Sequence, residues 1–392
     1  MENSPSFENF IEKKPLYYKE IDHKRVHKAY TRLKPYILRP LVIHIVGTNG
    51  KGSTGRIMAT LLNDDVYRSV GHFSSPHILT FNERIWIDGN DISDTALEDA
   101  HRQLYAILGK EMSDNLSYFE YTTLLALVAT KEVDVLILEA GLGGEFDATN
   151  VIKKELSVIT PIGLDHQDFL GESIREIAKT KLNSIEKQVL LGLQRYSEVY
   201  EIAKMVASKK KTKVYTVDRV ENREVLAMTQ ELNWAYYLYE NTQLALKALD
   251  ILKLPYGLES LKNVTLFGRF YEIAPNITID VGHNLLATEA LVQALEKKHG
   301  KEKIILVYNT LDDKDYEAIL KLFKPLIKWV EIIEIDTPRA VDSKSLRDVL
   351  ENLNIKYKNF IVTDKSNNYF IFGSFYAVEA FLKKIKYNIK NQ

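Results

Sequence analysis

A glycine-rich segment, IHIVGTNGKGSTG, has the residue types and spacing of a site that binds phosphate groups. It follows an apolar run and precedes a segment of helical character over residues 54–62. Glycines allow backbone amides to turn toward an anion, the helix N-terminus adds positive potential, and Lys51 can reach the β- and γ-phosphates. We therefore predict an ATP-binding phosphate loop. Its predicted nucleotide contacts are Asn49, Gly50, Lys51, Gly52, Ser53 and Thr54.

One position departs from the common phosphate loop. Serine or threonine usually follows the lysine and holds Mg²⁺, whereas Gly52 stands there in this chain. The metal ion must therefore be held largely by other residues. Glu139 ends an apolar run just before a second glycine-rich loop, and a carboxylate at the C-terminal end of a parallel strand is a usual Mg²⁺ ligand. On position alone, Glu139 could instead cap a neighbouring amide.

The elements that must position these residues follow an alternating pattern. Apolar runs rich in β-branched residues alternate with amphipathic segments, which is typical of βαβ units and mostly parallel sheets. The alternation pauses where Pro255, Gly257 and Gly268 cluster, which places a domain boundary near residue 270. We predict strands over residues 41–46, 133–138, 156–160, 188–193, 277–281, 303–308, 330–335 and 369–372, and helices over residues 97–108, 172–186, 285–298 and 343–353.

Composition excludes several classes of protein. Lys and Arg number 52 against 53 Asp and Glu, so the net charge of −1 gives no reason to expect nucleic acid or a charged membrane as a partner. The chain has no cysteine, which excludes disulfides, thiolate metal sites and a cysteine nucleophile. It begins with a polar, acidic segment and contains no run of about 18 apolar residues, so we expect a cytoplasmic protein.

An ordered series of motifs runs from near residue 40 to near residue 380. After the phosphate loop come FSSPHILTFNERIWIDG, SYFEYTT, LILEAGLGGEFDATN, GLDHQDFLGESIREIA, GRF, DVGHN, DDKD and GSFYAV. The series resembles the Mur ligase superfamily, specifically folylpolyglutamate synthases and dihydrofolate synthases. The resemblance implies an α/β fold: a P-loop ATP-binding domain with a mostly parallel sheet and folate-binding elements over residues 1–268, and a smaller Rossmann-like C-terminal α/β domain over residues 269–392.

The same resemblance implies an ADP-forming ligase. Such an enzyme activates a pteroate or folate carboxylate as an acyl phosphate and joins L-glutamate to it. It uses ATP and Mg²⁺, and Mg²⁺ binds at two sites. SYFEYTT looks like the version in bacterial enzymes that act on both dihydropteroate and reduced folates, which favours a bifunctional enzyme. A monofunctional folylpolyglutamate synthase is the alternative. We expect a monomer with small-molecule substrates and with neither nucleic acid nor a membrane as partner.

By resemblance, Ser75 coordinates the Mg²⁺ that bridges the β- and γ-phosphates, which supplies the hydroxyl absent at Gly52. Glu139 and His166 would hold a second Mg²⁺, although a lone histidine is more often a loop or core residue and Mg²⁺ prefers oxygen. Lys181 aligns with a lysine that is carbamylated in relatives.

The surroundings of that lysine read TKLN and depart from the family pattern, so Lys179 is the other possibility. On residue type alone, both lysines would be solvated charges on a helix.

Four more residues are assigned to the nucleotide and the catalytic site by resemblance. Asn241 matches an asparagine near the adenine, Asp280 a nucleotide contact, and His283 a catalytic-site histidine. Arg269 sits at the predicted linker, from which an arginine can stabilise charge during phosphoryl transfer. A helix start and a solvated linker charge are the alternatives for Asn241 and Arg269.

Five further residues are candidates for the pterin part of the substrate. Aromatic rings can stack on a flat heterocycle, and an aromatic core at a helix start is the alternative for the first four. The candidates are Ser117, Tyr118, Phe119, Glu120 and Asp147.

Two other classes of protein fit the motifs less well. A cell-wall Mur ligase would carry an extra N-terminal domain, for which the phosphate loop at residue 47 leaves no room. A P-loop switch or transport ATPase of another class would leave DVGHN and GRF unexplained and would hydrolyse ATP regardless of amino acid.

Overall fold

The computed structural model describes residues 4–15, 22, 24–38, 40–63, 68–218 and 220–387. The chain divides into two compact units. The first comprises Met1–Gly163, Gln167–Val225 and Glu240–Val264, and the second comprises Leu164–His166, Leu226–Tyr239 and Thr265–Gln392. The domain division at residue 268 stays a prediction. The second unit also includes two short segments from before that residue.

The first unit contains one mostly parallel sheet. Its strands are β1 (Leu41–Val46), β2 (Val70–Phe73), β3 (Ile85–Ile87), β4 (Asn90–Asp91), β5 (Val135–Glu139), β6 (Leu156–Ile159), β7 (Gln188–Leu191) and β8 (Lys213–Thr216). They lie in the order β4-β3-β2-β5-β1-β6-β7-β8. β3 pairs antiparallel with both β2 and β4, and the other neighbours among the described strands pair parallel. β1 is central and its last five residues are buried, as expected for a parallel strand covered on both faces.

The second unit contains a smaller sheet. Its strands are β9 (Tyr271–Ala274), β10 (Ile277–Ile279), β11 (Ile304–Tyr308), β12 (Ile327–Ile332), β13 (Tyr357–Asn359) and β14 (Tyr369–Phe372). They lie in the order β13-β12-β11-β14-β10-β9, and among these described strands only β9 is antiparallel to its neighbour. The predicted α/β class, with mostly parallel sheets, is therefore confirmed.

Helices alternate with these strands. They are α1 (Phe7–Ile11), α2 (Arg25–Leu33), α3 (Lys51–Leu62), α4 (Asp94–Leu108), α5 (Lys110–Asn115), α6 (Tyr118–Ala129), α7 (Gln167–Leu170), α8 (Ile174–Leu182), α9 (Ser197–Lys210), α10 (Arg223–Glu231), α11 (Tyr236–Leu252), α12 (Leu285–His299), α13 (Tyr316–Phe323), α14 (Ser343–Asn352) and α15 (Phe375–Lys384). Among the described residues, no helix combines the length and apolarity needed to cross a bilayer.

All eight predicted strands are present; β1 and β14 have the predicted ends, and the ends of the other six are shifted. The fifth strand in the chain includes Glu139, whereas the prediction stopped at residue 138. The helix predicted over residues 172–186 is shorter and spans α8. It starts there because Ser173 and Glu176 form a capping box, each side chain bonding the backbone of the other.

The loop over residues 141–150 packs directly on the end of α8. A Cβ on Gly144 would lie 2.6 Å from the carbonyl oxygen of Lys181, so only glycine fits this approach. The amide of Glu145 donates to the carbonyl oxygen of Thr180 at 3.0 Å. The glycine-rich loop and the helix that carries Lys181 are thus held together through backbone atoms.

A buried lysine, Lys154, also holds this loop in place through hydrogen bonds. Lys154 is 1% exposed, and its ammonium donates to the Asn150 side chain and, at 3.0 Å, to the carbonyl oxygen of Ser184. Asn150 in turn donates to the carbonyl oxygen of Glu145 at 2.8 Å. Burial lowers the pKa of Lys154 from 10.5 to about 8.

This shift predicts how stability depends on pH. Since the unfolded chain holds the Lys154 proton more tightly than the folded protein, stability rises as the pH increases from about 8 toward 10.5. Chemical denaturation of wild type and Lys154→Met at about pH 8 and about pH 10 measures the contribution of Lys154. Other titrating groups contribute equally to both proteins, so they cancel when the two free energies of unfolding are subtracted. We expect the wild type to gain about 2 kcal/mol on the variant. A pH-independent difference would contradict the lowered pKa.

Candidate active site

The phosphate loop joins β1 to α3, and its conformation depends on Gly50. Gly50 has a φ of 84°, the left-handed region in which side chains are strained. A Cβ there would also lie 2.6 Å from Asn241 Oδ1. Helix α3 begins at Lys51, three residues earlier than predicted, and the amides of its first turn lack partners within the helix. This is the geometry of an anion-binding helix N-terminus.

The other predicted loop residues lie where the phosphate loop meets α3. Ser53 is 2% exposed, and its hydroxyl accepts from Asn241 Nδ2 at 3.3 Å. Thr54 is fully buried, and its amide donates to the carbonyl oxygen of Gly50 at 2.9 Å. Asn49 and Gly52 are half-buried. Asn241 lies inside α11, which begins at residue 236, so it does not start the helix as predicted.

Lys51, Glu139 and Ser75 converge beside this loop. The Lys51 ammonium lies 3.9 Å from Glu139 Oε1 and 3.3 Å from the carbonyl oxygen of Thr48. Glu139 Oε2 accepts from the backbone amide of Ser75 at 3.2 Å. The Glu139 side chain is 5% exposed. Because β5 is the parallel neighbour of β1, its C-terminal carboxylate lies at the same sheet edge as the phosphate loop.

This donor set fits Mg²⁺ that also binds a nucleotide. Among the described residues, no group of three or more His, Asp or Glu could hold a metal. Mg²⁺ is commonly bound by one or two carboxylates together with substrate phosphates and water. Glu139 supplies one buried carboxylate, and Ser75 brings a hydroxyl-bearing residue into hydrogen-bond contact with it.

The structure distinguishes the two candidate lysines of α8. Lys181 is 4% exposed, and its ammonium donates to the carbonyl oxygen of Gly47 in the phosphate loop at 2.8 Å. Lys179 is exposed. Lys181 is therefore the lysine that lies at the phosphate loop.

His166 lies in the second unit, beside a buried carboxylate. His166 has a φ of 51°, and its amide donates to Asp165 Oδ1 at 3.0 Å. Asp165 also binds the Lys314 ammonium at 2.7 Å and lies 3.4 Å from His283 Nε2. Although burial opposes ionisation, the hydrogen bond from His283 and the charges of His166 and Lys314 hold the pKa of Asp165 well below its usual range. The structure thus brings His166 and His283 together around Asp165.

Asp280 is a second buried carboxylate of this unit. Its Oδ2 accepts from the Tyr237 hydroxyl at 2.8 Å and from the Phe270 amide at 2.7 Å, and its Oδ1 accepts from the Gly282 amide at 2.7 Å. Burial raises the pKa of Asp280, and the charge of Arg269 opposes that rise. Asp280 thus shapes the turn that carries Arg269.

Two of the pterin candidates, Ser117 and Glu120, cap the N-terminus of α6. The Ser117 hydroxyl accepts from the Glu120 amide at 3.3 Å, and Glu120 Oε2 accepts from the Ser117 amide at 2.7 Å. Tyr118 lies under the Arg84 guanidinium, 5.3 Å from ring centre to Cζ. The ring of Phe119 lies against Gly141, in the glycine-rich loop. Both aromatic residues are half-buried.

Asp147 holds its own loop. Its carboxylate accepts from the amides of Leu142 at 2.8 Å and Thr149 at 2.9 Å, and from the Thr149 hydroxyl. Burial raises the pKa of Asp147, although these bonds oppose the rise. A role in binding substrate stays a prediction for Asp147, whereas its role in loop geometry is visible.

Sequence reasoning missed Tyr237, which belongs to the cluster around Asp280. The Tyr237 hydroxyl binds Asp280 from 43 positions away in the chain, and no local motif marks it. Lys314, in DDKD, was a candidate site residue from sequence, with a helix cap as the alternative, but its pairing with Asp165 depends on the fold.

The comparisons agree with the motifs. Residues 45–270 match the Mur ligase middle domain, and residues 268–373 match the Mur ligase glutamate ligase domain. A dihydrofolate synthase/folylpolyglutamate synthase of Buchnera aphidicola subsp. Acyrthosiphon pisum is 31% identical, over 93% of this chain and 96% of that protein. The crystal structure of Helicobacter pylori folylpolyglutamate synthetase is 39% identical, with a TM-score of 0.79 over 97% of this chain and 98% of that one.

A bifunctional folylpolyglutamate synthase/dihydrofolate synthase from Yersinia pestis, complexed with AMPPNP and Mn ion, is also similar. It is 25% identical, with a TM-score of 0.83 over 98% of this chain and 100% of that one. The resemblance drawn from the motifs is confirmed: the chain belongs to the dihydrofolate synthase/folylpolyglutamate synthase family of Mur ligases and is an ATP-dependent, ADP-forming ligase.

Proposed function

We propose that this chain joins L-glutamate both to dihydropteroate and to reduced folates. The observation that carries the proposal is the convergence of Lys51, Glu139 and Ser75 at the phosphate loop of a chain from this family. In a ligase of this family, such a site would bind the ATP that activates the acceptor carboxylate. We further propose that the protein acts as a cytoplasmic monomer and that its domains divide at residue 268.

The reaction has two steps in which atoms and charges balance. An oxygen of the acceptor carboxylate attacks the γ-phosphorus of ATP, and the bond between that phosphorus and the oxygen bridging to the β-phosphate breaks. The products of this step are ADP and an acyl phosphate. The amine of glutamate then attacks the acyl carbon, phosphate leaves, and the amine loses a proton. The protein mainly positions the reactants and stabilises charge. Lys51 and the first amides of α3 bind the phosphates, and Asn49 and Asn241 flank the nucleotide.

ATP and a divalent metal ion are the cofactors of this chemistry. Ser75 would hold one such ion, and that ion would neutralise phosphate charge. For a second ion we propose Glu139, His166 and a carbamylated Lys181 as ligands. The position of the Lys181 ammonium on the Gly47 carbonyl, inside the protein, supports choosing it over Lys179.

The remaining assignments rest on the family motifs. Arg269 would stabilise charge on the transferred phosphoryl group, with Asp280 as a nucleotide contact and His283 as a catalytic-site residue. For the pterin ring we propose Tyr118 and Phe119, whose half-buried rings lie on the first turn of α6. Ser117, Glu120 and Asp147 shape the backbone around them.

Glutamate-dependent ADP release tests the proposed function directly. With ATP and Mg²⁺, we expect L-glutamate to stimulate ADP release when either dihydropteroate or tetrahydrofolate is the acceptor. D-Glutamate serves as the control for the amino acid. Turnover with tetrahydrofolate alone would indicate the monofunctional alternative. ADP release that ignores glutamate would overturn the ligase proposal.

Two neighbouring serines test the metal assignment. We expect Ser75→Ala to raise the Mg²⁺ concentration needed for half-maximal activity by about tenfold, because one oxygen ligand is lost. Ser74→Ala is the matched control and should need the wild-type concentration. An equal Mg²⁺ requirement in both variants would remove Ser75 from the metal site.

The carbamate is tested by the adjacent pair of α8 lysines. Carbamylation replaces one amine hydrogen by a carboxylate from CO₂ and releases a proton. We expect the carbon NMR spectrum of protein in ¹³C-labelled bicarbonate to show a carbamate signal in wild type and Lys179→Ala but not in Lys181→Ala. Small carboxylates should partly restore activity to Lys181→Ala. A signal that survives in Lys181→Ala and disappears in Lys179→Ala would reverse the assignment.

A further inference from the structure

One carboxylate oxygen at the start of α6 accepts three hydrogen bonds. Glu120 Oε2 accepts from the Ser117 amide at 2.7 Å, from Arg25 Nε at 3.0 Å and from Arg25 Nη2 at 2.8 Å. The side chain of Arg25 is 20% exposed and that of Glu120 is 13% exposed. Such charge-assisted contacts in a partly buried setting are stronger than those of a solvated surface pair.

The placement of Arg25 is unfavourable for its own helix. Arg25 is the first residue of α2, it follows Lys24, and the first turn has no acidic residue. A cation at a helix N-terminus opposes the helix dipole. A residue that breaks a local rule indicates a compensating interaction elsewhere, and the pair with Glu120 supplies it.

The same turn of α6 is also held by the N-terminal segment of the chain. The Tyr118 amide donates to the carbonyl oxygen of Pro15 at 3.1 Å. The Lys14 ammonium, 8% exposed, donates to the carbonyl oxygen of Leu116 at 2.8 Å and to that of Asp114 at 3.0 Å. Backbone and side-chain contacts from residues distant in sequence therefore fix this turn.

We propose that Arg25 is a positioning residue for the pterin site. Its guanidinium neutralises and orients Glu120, which sets the first turn of α6 and with it the rings of Tyr118 and Phe119. The inference rests on the proposed function, since it assumes that these rings contact the pterin. It assigns to Arg25 an effect on the pterin-bearing acceptor and not on ATP or glutamate.

Steady-state kinetics with dihydropteroate as acceptor test this assignment. We expect Arg25→Gln to raise KM for dihydropteroate by about tenfold, with KM for ATP and L-glutamate within about twofold of wild type. Arg25→Lys keeps the charge but loses the fork geometry, so KM for dihydropteroate should rise by about threefold. Arg32→Gln, an exposed arginine of the same helix, is the matched control and should leave all three KM values unchanged.

The outcomes separate the inference from the proposed function. A rise in all three KM values, or a lower thermal midpoint with unchanged KM, would show a merely structural role and overturn the inference while the function stands. Wild-type protein that neither releases ADP with dihydropteroate nor binds it in calorimetric titration would overturn both. If Arg25→Gln does not fold, Arg25→Lys decides, because an unchanged KM for dihydropteroate in that variant contradicts the inference.

Discussion

Backbone amides at the start of α3 must be able to reach a triphosphate, and much of the first unit follows from that constraint. The turn before α3 needs Gly50 in the left-handed region, and the side chain of Asn241 fills the space that a Cβ would take. β1 lies between β5 and β6 and is parallel to both, so both neighbours end beside the phosphate loop that follows β1. Glu139 is therefore brought to the phosphate loop by strand order and needs no specific loop of its own.

A second consequence is that cations near this loop are bound to backbone carbonyl oxygens. Lys51 contacts Thr48 and Lys181 contacts Gly47 through such oxygens. A buried ammonium without a partner would lose most of its solvation free energy, so each lysine needs an acceptor before any nucleotide arrives. Lys154 shows the same requirement further from the loop, where its contacts fasten residues 141–150 instead.

The sequence was most informative where chemistry is local in the chain. The strands of the central sheets could be predicted because parallel strands buried on both faces are continuous apolar runs, as in β1 and β11. The strands β2, β3, β4, β8, β9 and β13 were not predicted, since they are short and several are exposed or contain glycine and histidine. Contacts such as that between Asp165 and Lys314 join distant segments, and residue type alone cannot specify them.

The buried acids of the second unit illustrate why a motif residue can have a role that its motif does not state. Asp280 accepts three hydrogen bonds, one of them from the amide of Phe270, whose φ is 47°. That left-handed residue lies next to Arg269, so the carboxylate stabilises the strained turn that orients the arginine. Asp165 does the same for His166, whose φ is 51°, by accepting from its amide. In the first case the acid fixes the backbone of the residue after Arg269, and in the second it fixes the backbone of His166 itself. Substitution of either acid would therefore change the position of a basic side chain as well as remove a negative charge.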